Sequence, residues 1–182
     1  MREQPKSILD KFCIEFCKIT EKHCKYIIVS GFVAISSGRV RGTEDIDMII
    51  EKLEKDKFKS LHKDLTKDNF VCMQSDDPEE IYDYLKENLS VRYTYKNKPL
   101  PEMEVKFAKD LLDSYQLKNR KKLKITGLDI WFSSIETNIA FKEELLKSPK
   151  DMEDAKHLRS IFTVDEEEIK YIKKLIKDIR LK

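Results

Sequence analysis

The sequence has almost no excess of charge of one sign and no long apolar run. Its 36 Lys and Arg residues are balanced by 34 Asp and Glu residues, so the formal net charge is only +2. Such a charge excludes a strongly basic protein that wraps nucleic acid, although a local basic patch is compatible with it. Because no apolar run approaches the roughly 20 residues that span a bilayer, we expect a soluble protein without a membrane partner.

Cysteine and glycine are scarce, with four of each among 182 residues. Cys13, Cys17 and Cys24 recur on the apolar face of a predicted helix, which favours buried thiols. A metal site that includes His23 is the alternative. No secretory segment precedes these cysteines, so we expect a reducing, cytoplasmic compartment. Hydrophobic residues make up 40% of the chain, which is enough to build a core.

Apolar periodicity predicts an alternation of helices and strands in the first two thirds of the chain. The predicted helices cover 7–24, 32–37, 55–67 and 77–88. The predicted strands cover 26–30, 43–50, 69–74, 90–96 and 103–108, and a hairpin over 123–132 turns at Thr126-Gly127. This order predicts a mixed α/β domain over residues 1–132.

The last third of the chain is predicted to be helical. Ser133, Ser148 and Thr163 each begin a capping pattern, so three helices should start at these positions. We therefore expect a C-terminal helical part over residues 133–182, packed on the α/β domain.

The most informative stretch is SGFVAISSGRVRGTEDIDMII, residues 30–50. Its predicted strand contains Asp45 and Asp47, whose side chains share one face because side chains alternate along a strand, with roughly 6–7 Å between the two positions. Glu44 is out of phase and should point away. Two neighbouring carboxylates repel each other unless a cation lies between them, and phosphoryl-transfer enzymes place divalent ions at such sites. The pattern therefore predicts a Mg²⁺ or Mn²⁺ site.

A turn at Ser30-Gly31 precedes this strand, between a predicted strand and a predicted helix. A glycine turn lets backbone N–H groups and a hydroxyl approach phosphate oxygens closely. Arg39 and Arg41 follow, where their charge can offset that of a triphosphate. An ordinary surface turn beside a solvated strand is the alternative. The combination of turn, arginine and Asp-X-Asp strand favours a nucleotide site.

This stretch resembles the nucleotidyltransferase superfamily, in which a Gly-Gly or Gly-Ser turn precedes an Asp-X-Asp strand. It is most similar to small prokaryotic members related to abortive-infection and toxin–antitoxin nucleotidyltransferases. Their Arg, Thr and Asp-hydrophobic-Asp pattern is matched by Arg41, Thr43, Asp45 and Asp47. The resemblance covers most of residues 25–162, and it implies a nucleotidyltransferase fold, which is a mixed sheet flanked by helices.

The resemblance also implies further site residues. It implies a third carboxylate on a neighbouring strand, for which Glu104 in MEVKFAK fits best and Asp129 in GLDIWF is the alternative. Lys142 matches a lysine of the family that suggests a phosphate or nucleotide contact. Lys150, Asp151 and Asp154 match the family's Lys-Asp…Asp helix, and we include Lys150 and Asp151 among the candidate nucleotide ligands.

Lys142 also stands out from helix geometry alone, because it lies in an apolar stripe with Ile135, Ile139 and Leu146. A lysine in such a stripe must extend to solvent or meet an anion. If that anion is a nucleotide, Lys142→Met should weaken nucleotide binding without loss of stability.

Together these features predict transfer of a nucleoside monophosphate from an NTP to a hydroxyl of an RNA or protein, by Mg²⁺-dependent attack on the α-phosphate. Two departures from the family pattern, Ser30 for the first turn glycine and Glu104 for an aspartate, keep a rival open. That rival is a non-catalytic relative that binds nucleotide or a cognate toxin or antitoxin partner. An RNA-binding module that uses KNRKKLK, residues 118–124, is the second rival.

Overall fold

The structure is a computed structural model that describes residues 6–43 and 45–182; the predicted orientation of Glu44 lies outside the described residues. The strands of this part are β1 (Tyr26–Val29), β2 (Asp45–Ile50), β3 (Phe70–Cys72), β4 (Val91–Tyr95) and β5 (Glu102–Phe107). They form a mixed sheet in the order β1-β2-β5-β4-β3. β2 and β5 run parallel, and the other neighbouring pairs are antiparallel.

Helices flank this sheet and fill the last third of the chain. They are α1 (Ile8–Glu21), α2 (Gly31–Ser36), α3 (Lys55–Lys67), α4 (Pro78–Lys86), α5 (Leu111–Lys118), α6 (Ile135–Phe141), α7 (Pro149–Ile161) and α8 (Glu166–Arg180). α6 continues as a π-helical turn, Lys142–Leu146. The mixed α/β class and the flanked mixed sheet are confirmed, whereas α5 was not predicted.

One face of the sheet forms the main core. Met48 of β2 and Val105 of β5 stand side by side on this face. They are buried together with Phe12 and Phe16 of α1 and Phe58 of α3. The strict alternation along β2 and β5 therefore buries one set of side chains and leaves the other set for the opposite face.

The opposite face is divided between apolar and charged side chains. Ile27 of β1 and Ile49 of β2 pack against Leu117 of α5 in a small separate cluster. Two residues before Ile49 on the same face, Asp47 stands in register with Glu104 of β5. The apolar cluster thus anchors α5 at one end of this face, and the carboxylates occupy the part beside it.

The hairpin predicted over 123–132 is wrong. Lys124–Thr126 forms a 3₁₀ turn, and Phe132 makes isolated bridges to Ile28 and Lys121 without a paired strand. Alternate apolar residues in this segment are buried in the main core. The alternation therefore reflects burial of an irregular segment, which sequence periodicity does not distinguish from a strand.

Two of the three predicted C-terminal helix starts are shifted. Ser148 caps α7 as predicted. α6 begins after Ser134 rather than Ser133, and α8 begins after Asp165 rather than Thr163. Each of these helices has several polar residues before it that can accept a hydrogen bond from the first turn, so the local pattern does not select one of them.

The C-terminal helices pack on each other and on the preceding part of the chain. α8 buries Ile169, Ile172 and Ile176 and contacts α5 and α6, while α7 contacts α2 and α6. A domain boundary at residue 132 stays a prediction. Within the described residues, every helix is too short or too polar to cross a membrane. All four cysteines are buried and none of them forms a disulfide, as predicted for core thiols.

Candidate active site

Four carboxylates lie on one face of the sheet, on its two parallel strands. Because β2 and β5 are in register, Asp45 stands beside Glu102 and Asp47 beside Glu104. Neighbouring strands are about 4.8 Å apart, and alternate residues of a strand share a face. We refer to these four residues as the carboxylate array. β5, the neighbour of β2, carries Glu104, so the third carboxylate lies on a neighbouring strand as the resemblance implied.

Burial and mutual repulsion raise the pKa of two members of the carboxylate array, Asp47 and Glu102. Burial raises the pKa of Asp47, and the nearby charges of Glu104 and Asp45 raise it further, whereas the hydroxyl of Ser30 opposes the shift. Burial also raises the pKa of Glu102, and its interaction with Asp45 adds to the effect. A cation placed among these groups would favour their ionised forms and relieve the repulsion.

Arg92 on β4 partly neutralises the array. In the register between β4 and β5 it stands opposite Glu104. Its Nη2 lies 3.3 Å from Oε2 of Glu104, and its Nε lies 3.5 Å from Oε2 of Glu102. The Arg92 side chain is 46% exposed, so both ion pairs are weak by the standard of surface pairs. Glu104 can therefore exchange Arg92 for another cation at little cost.

The array has the donor type that Mg²⁺ and Mn²⁺ prefer, because hard divalent ions bind carboxylate oxygens. Within 6–43 and 45–182, no group of three or more His, Cys, Asp or Glu side chains is arranged so that it could hold a metal ion. Glu104 is engaged by Arg92. The residues fit a divalent ion in donor chemistry and strand position, and a three-carboxylate site requires that their side chains converge further than they do here.

The Ser30-Gly31 turn joins β1 to α2 beside Asp47. Ser30 has a positive φ of 67°, and its hydroxyl lowers the pKa of Asp47. A Cβ atom at Gly31 would lie 2.2 Å from Nη2 of Arg41, so a side chain at this position would displace the guanidinium. The structure thus brings together a turn, an arginine and an aspartate that the sequence predicted as one site.

Both arginines of the loop after α2 bond a carboxylate that α7 supplies. Asp154 is fully buried; its Oδ1 lies 2.8 Å from Nε of Arg39, and its Oδ2 lies 3.1 Å from Nη2 of Arg41. Nζ of Lys142 lies 2.9 Å from the same Oδ2. A buried carboxylate requires such partners, because an uncompensated charge in the interior is strongly destabilising. Asp154 therefore ties this loop to the C-terminal helices.

Lys142 meets an anion and does not extend to solvent. It is 1% exposed, and its Nζ lies 2.9 Å from Asp154 and 3.6 Å from Asp151. It is the first residue of the π-helical turn, a feature that is frequent at functional sites. The anion is part of the chain itself, so nucleotide contact by Lys142 stays a prediction.

A cavity of about 330 Å³ opens beside the array. Its volume lies at the lower end of the range for small-molecule sites. One wall comes from the sheet and the turn, and the other comes from α6 and the π-helical turn. Its polar and aromatic lining includes Ser30, Asp47, Lys106, Asn138, Phe141 and Lys142. The cavity therefore links the predicted turn, an array aspartate and the predicted lysine.

Three other predicted nucleotide ligands make no contact that indicates a role in nucleotide binding. Oγ1 of Thr43 donates to the backbone carbonyl of Asp45 at 3.1 Å. The backbone N–H of Asp151 donates to the hydroxyl of Ser148 at 3.1 Å. Lys150 is exposed. Their binding roles stay predictions.

Asp129, the alternative third carboxylate, lies outside the sheet. Its side chain is 88% exposed and lies 2.6 Å from Nζ of Lys122, which holds the pKa of the carboxyl below its usual value. Glu104 is therefore the better placed of the two candidates.

Sequence reasoning left three residues of this arrangement out of the candidate site. Glu102 shares the alternation of Glu104, and a strand started one residue earlier would have included it. Asp154 lies four residues before the buried Leu158 on α7, so its inward position was accessible from helical spacing. Arg92 carries no local signal, because only the pairing of β4 with β5 places it opposite Glu104.

Two solved structures share this fold over almost the whole chain. An antigenic nucleotidyltransferase-like protein from Paracoccidioides brasiliensis has a TM-score of 0.55 at 17% identity, covering 95% of this chain and 88% of that one. The antibiotic-resistance factor ANT(2'')-Ia has a TM-score of 0.55 at 11% identity, covering 93% and 91%. No protein-family model and no curated protein matches the chain.

The chain therefore has a nucleotidyltransferase-like fold. This confirms the fold that the sequence resemblance implied. The narrower likeness to abortive-infection and toxin–antitoxin proteins stays a prediction.

Proposed function

We propose that this protein binds an NTP with a divalent metal ion at the carboxylate array and transfers a nucleoside monophosphate to a hydroxyl acceptor. The observation that carries the proposal is the in-register placement of Asp47 beside Glu104. Asp47 of this pair lines a cavity that also contains Ser30 and Lys142. The nucleotidyltransferase-like fold of two solved structures supports the same class of reaction.

In this proposal Asp45, Asp47 and Glu104 hold Mg²⁺ or Mn²⁺. The ion supplies positive charge to the triphosphate and lowers the pKa of the acceptor hydroxyl. Glu104 then exchanges its weak pair with Arg92 for the ion. Arg92, half exposed at the edge of the array, is left free to meet phosphate oxygens.

The nucleotide is assigned to the cavity and the turn beside it. Nε of Arg41 is buried and has no hydrogen-bond partner in the described part of the chain, so a phosphate oxygen would satisfy a donor that is otherwise costly to bury. Lys142 adds positive charge from the opposite wall. The complete set of proposed nucleotide ligands is Ser30, Gly31, Arg41, Thr43, Lys142, Lys150 and Asp151.

The proposed reaction forms one bond and breaks one. The acceptor oxygen bonds to the α-phosphorus, the bond from that phosphorus to the bridging oxygen of pyrophosphate breaks, and pyrophosphate leaves with the electron pair. The hydroxyl proton passes to a carboxylate of the array.

A non-catalytic relative is the second candidate, and the engagement of Glu104 by Arg92 favours it. If that pair keeps Glu104 turned away from the two aspartates when nucleotide binds, the array lacks its third metal ligand. The protein would then bind nucleotide, or a cognate toxin or antitoxin partner, without chemistry.

Transfer of label distinguishes the two candidates. The wild type is incubated with Mg²⁺, each α-³²P-labelled NTP in turn, and total RNA or total protein as acceptor. We expect labelled product from the wild type, and none from Asp47→Asn or Glu104→Gln. Asp129→Asn, which removes an exposed carboxylate outside the array, is the matched control and should retain transfer.

Two outcomes would overturn the proposal. Nucleotide binding without labelled product from any acceptor would support the non-catalytic relative. Transfer that survives Glu104→Gln but not Asp129→Asn would show that the third carboxylate is assigned wrongly.

A further inference from the structure

A second concave surface lies beyond α5, at the far end of β2 and β5. It encloses about 710 Å³. Five basic side chains line it, and we refer to it as the basic groove. They are Lys25, Lys52, Lys109, Lys118 and Arg120.

The basic side chains of the groove have no carboxylate partner among residues 6–43 and 45–182. The acidic side chains of its lining are Glu51 and Asp110. Asp110 is paired with Arg180, whose Nε lies 3.0 Å from Oδ2, and Glu51 accepts the backbone N–H of Lys25 at 3.0 Å. None of the five basic side chains forms a salt bridge with a carboxylate of the described residues.

Elsewhere on the protein, some basic side chains are paired with carboxylates. Arg159 is paired with Glu143 and Glu166, and Lys59 is paired with Glu79. The chain has almost as many acidic as basic residues, so five adjacent cations without a partner are a local concentration of charge. Such a concentration attracts a polyanion.

The basic groove continues from the face that carries the array. Asp47, Ile49 and Glu51 alternate along β2 and just beyond it, and Glu51 lines the groove. Four residues of strand correspond to about 13 Å. Leu117 of α5 borders the groove and Gln116 borders the cavity beside the array. One ligand can therefore reach both places by crossing α5.

Arg120 is held at the rim of the groove. Its guanidinium stacks on the Trp131 ring, 4.3 Å from the centroid, and Nη1 donates to the carbonyl of Tyr26 at 3.4 Å. Lys122 lies over the same ring at 5.0 Å. The basic segment 118–124 thus begins inside the groove and continues away from it.

We infer that the basic groove binds the phosphate backbone of single-stranded RNA and guides its end to the carboxylate array. A phosphate backbone matches a line of unpaired cations, and the ribose 2′-hydroxyl can donate to the Glu51 carboxylate, which distinguishes RNA from DNA. RNA binding by the groove does not depend on the proposed function. Its role in presenting an acceptor to the array rests on the proposed transfer reaction.

The test compares two triple variants that remove the same charge. The groove variant is Lys52→Gln, Lys109→Gln and Lys118→Gln. The control variant is Lys63→Gln, Lys67→Gln and Lys86→Gln, which replaces exposed lysines of α3 and α4. Binding of fluorescein-labelled single-stranded RNA is measured by anisotropy from 50 to 200 mM salt, without NTP or Mg²⁺.

Loss of three phosphate contacts to a single strand should reduce the slope of log K against log salt by about 2. Over a fourfold change in salt, the wild type and the control variant should therefore lose about 20-fold more affinity than the groove variant. The groove variant should also bind more weakly than both at 50 mM salt.

Three results would overturn the inference. They are no RNA binding by the wild type, equal losses in the two triple variants, and equal binding of RNA and DNA of the same sequence. The thermal shift caused by Mg²⁺ and NTP is measured on the same samples. Its persistence in the groove variant would show that failure of the groove leaves the proposed nucleotide site intact.

Discussion

Replacing Lys142 tests the buried charge cluster around Asp154. Helix geometry alone suggested that Lys142→Met would leave stability unchanged, since methionine suits an apolar stripe. The structure reverses the expected sign, because Nζ of Lys142 lies 2.9 Å from the fully buried Asp154. Methionine keeps the packing of the stem but removes a charged hydrogen-bond donor.

The expected loss follows from the partners that remain. A hydrogen bond to a charged group contributes about 1.5–3 kcal/mol, whereas breaking a buried pair and leaving the partner uncompensated costs about 3–5 kcal/mol. Arg39 and Arg41 still bond Asp154 in the variant, so the free energy of unfolding should fall by about 1.5–3 kcal/mol for Lys142→Met, the lower of these two ranges. At about 2–4 °C per kcal/mol for a chain of this size, Tm should fall by about 3–12 °C.

Asp154→Asn should be the more damaging change, because it leaves Arg39, Arg41 and Lys142 facing a neutral amide. Differential scanning calorimetry at pH 7 measures both variants. Lys156→Met, at an exposed position of α7, is the control and should shift Tm by less than about 2 °C. An unchanged or higher Tm for Lys142→Met, or a smaller loss for Asp154→Asn than for Lys142→Met, would refute the reasoning.

Two further predictions concern the sheet and the turn. The folded-state pKa of Asp47 lies above its unfolded value, so ionisation of Asp47 opposes folding once the pH exceeds about 3.9. With a chelator present, Asp47→Asn should therefore raise Tm at pH 7. This gain in Tm should vanish as the pH falls towards 3.9. A constant gain would contradict this origin. Gly31→Ala, whose Cβ would meet Nη2 of Arg41 at 2.2 Å, should displace the guanidinium from Asp154 and cost about 1.5–3 kcal/mol, the contribution of a hydrogen bond to a charged group, in a denaturant titration. Gly42→Ala, with nothing within 4 Å, is its control, and equal losses would contradict the steric argument.

Local patterns predicted the elements that carry the array. α3 has the predicted bounds, Lys55–Lys67, because its apolar residues recur at a clear helical spacing. β2 has a strict alternation, so the shared face of Asp45 and Asp47 followed from the sequence. α5 was missed because Leu111 and Leu112 are adjacent, and only Leu112 turns inward.

Long-range pairing decided what the sequence left open. The register of β2 with β5 places Glu104 beside Asp47, and no local pattern contains that register. The same holds for Arg92, which pairing with β5 brings to the array, and for the contacts of Asp154 with residues more than 100 positions away. Strand order and helix packing depend on the whole chain. Sequence spacing could therefore indicate which residues are candidates for the site, but it could not predict which residues they contact.

The measurement that tests the central claim most directly is calorimetric titration of Mg²⁺ and a non-hydrolysable NTP analogue into the wild type and into Asp45→Asn/Asp47→Asn. The account predicts saturable binding by the wild type that disappears in EDTA and in the double variant, because both aspartates hold the ion that the triphosphate needs. Equal binding by the double variant, or binding by the wild type that EDTA leaves unchanged, would contradict a nucleotide site at the carboxylate array.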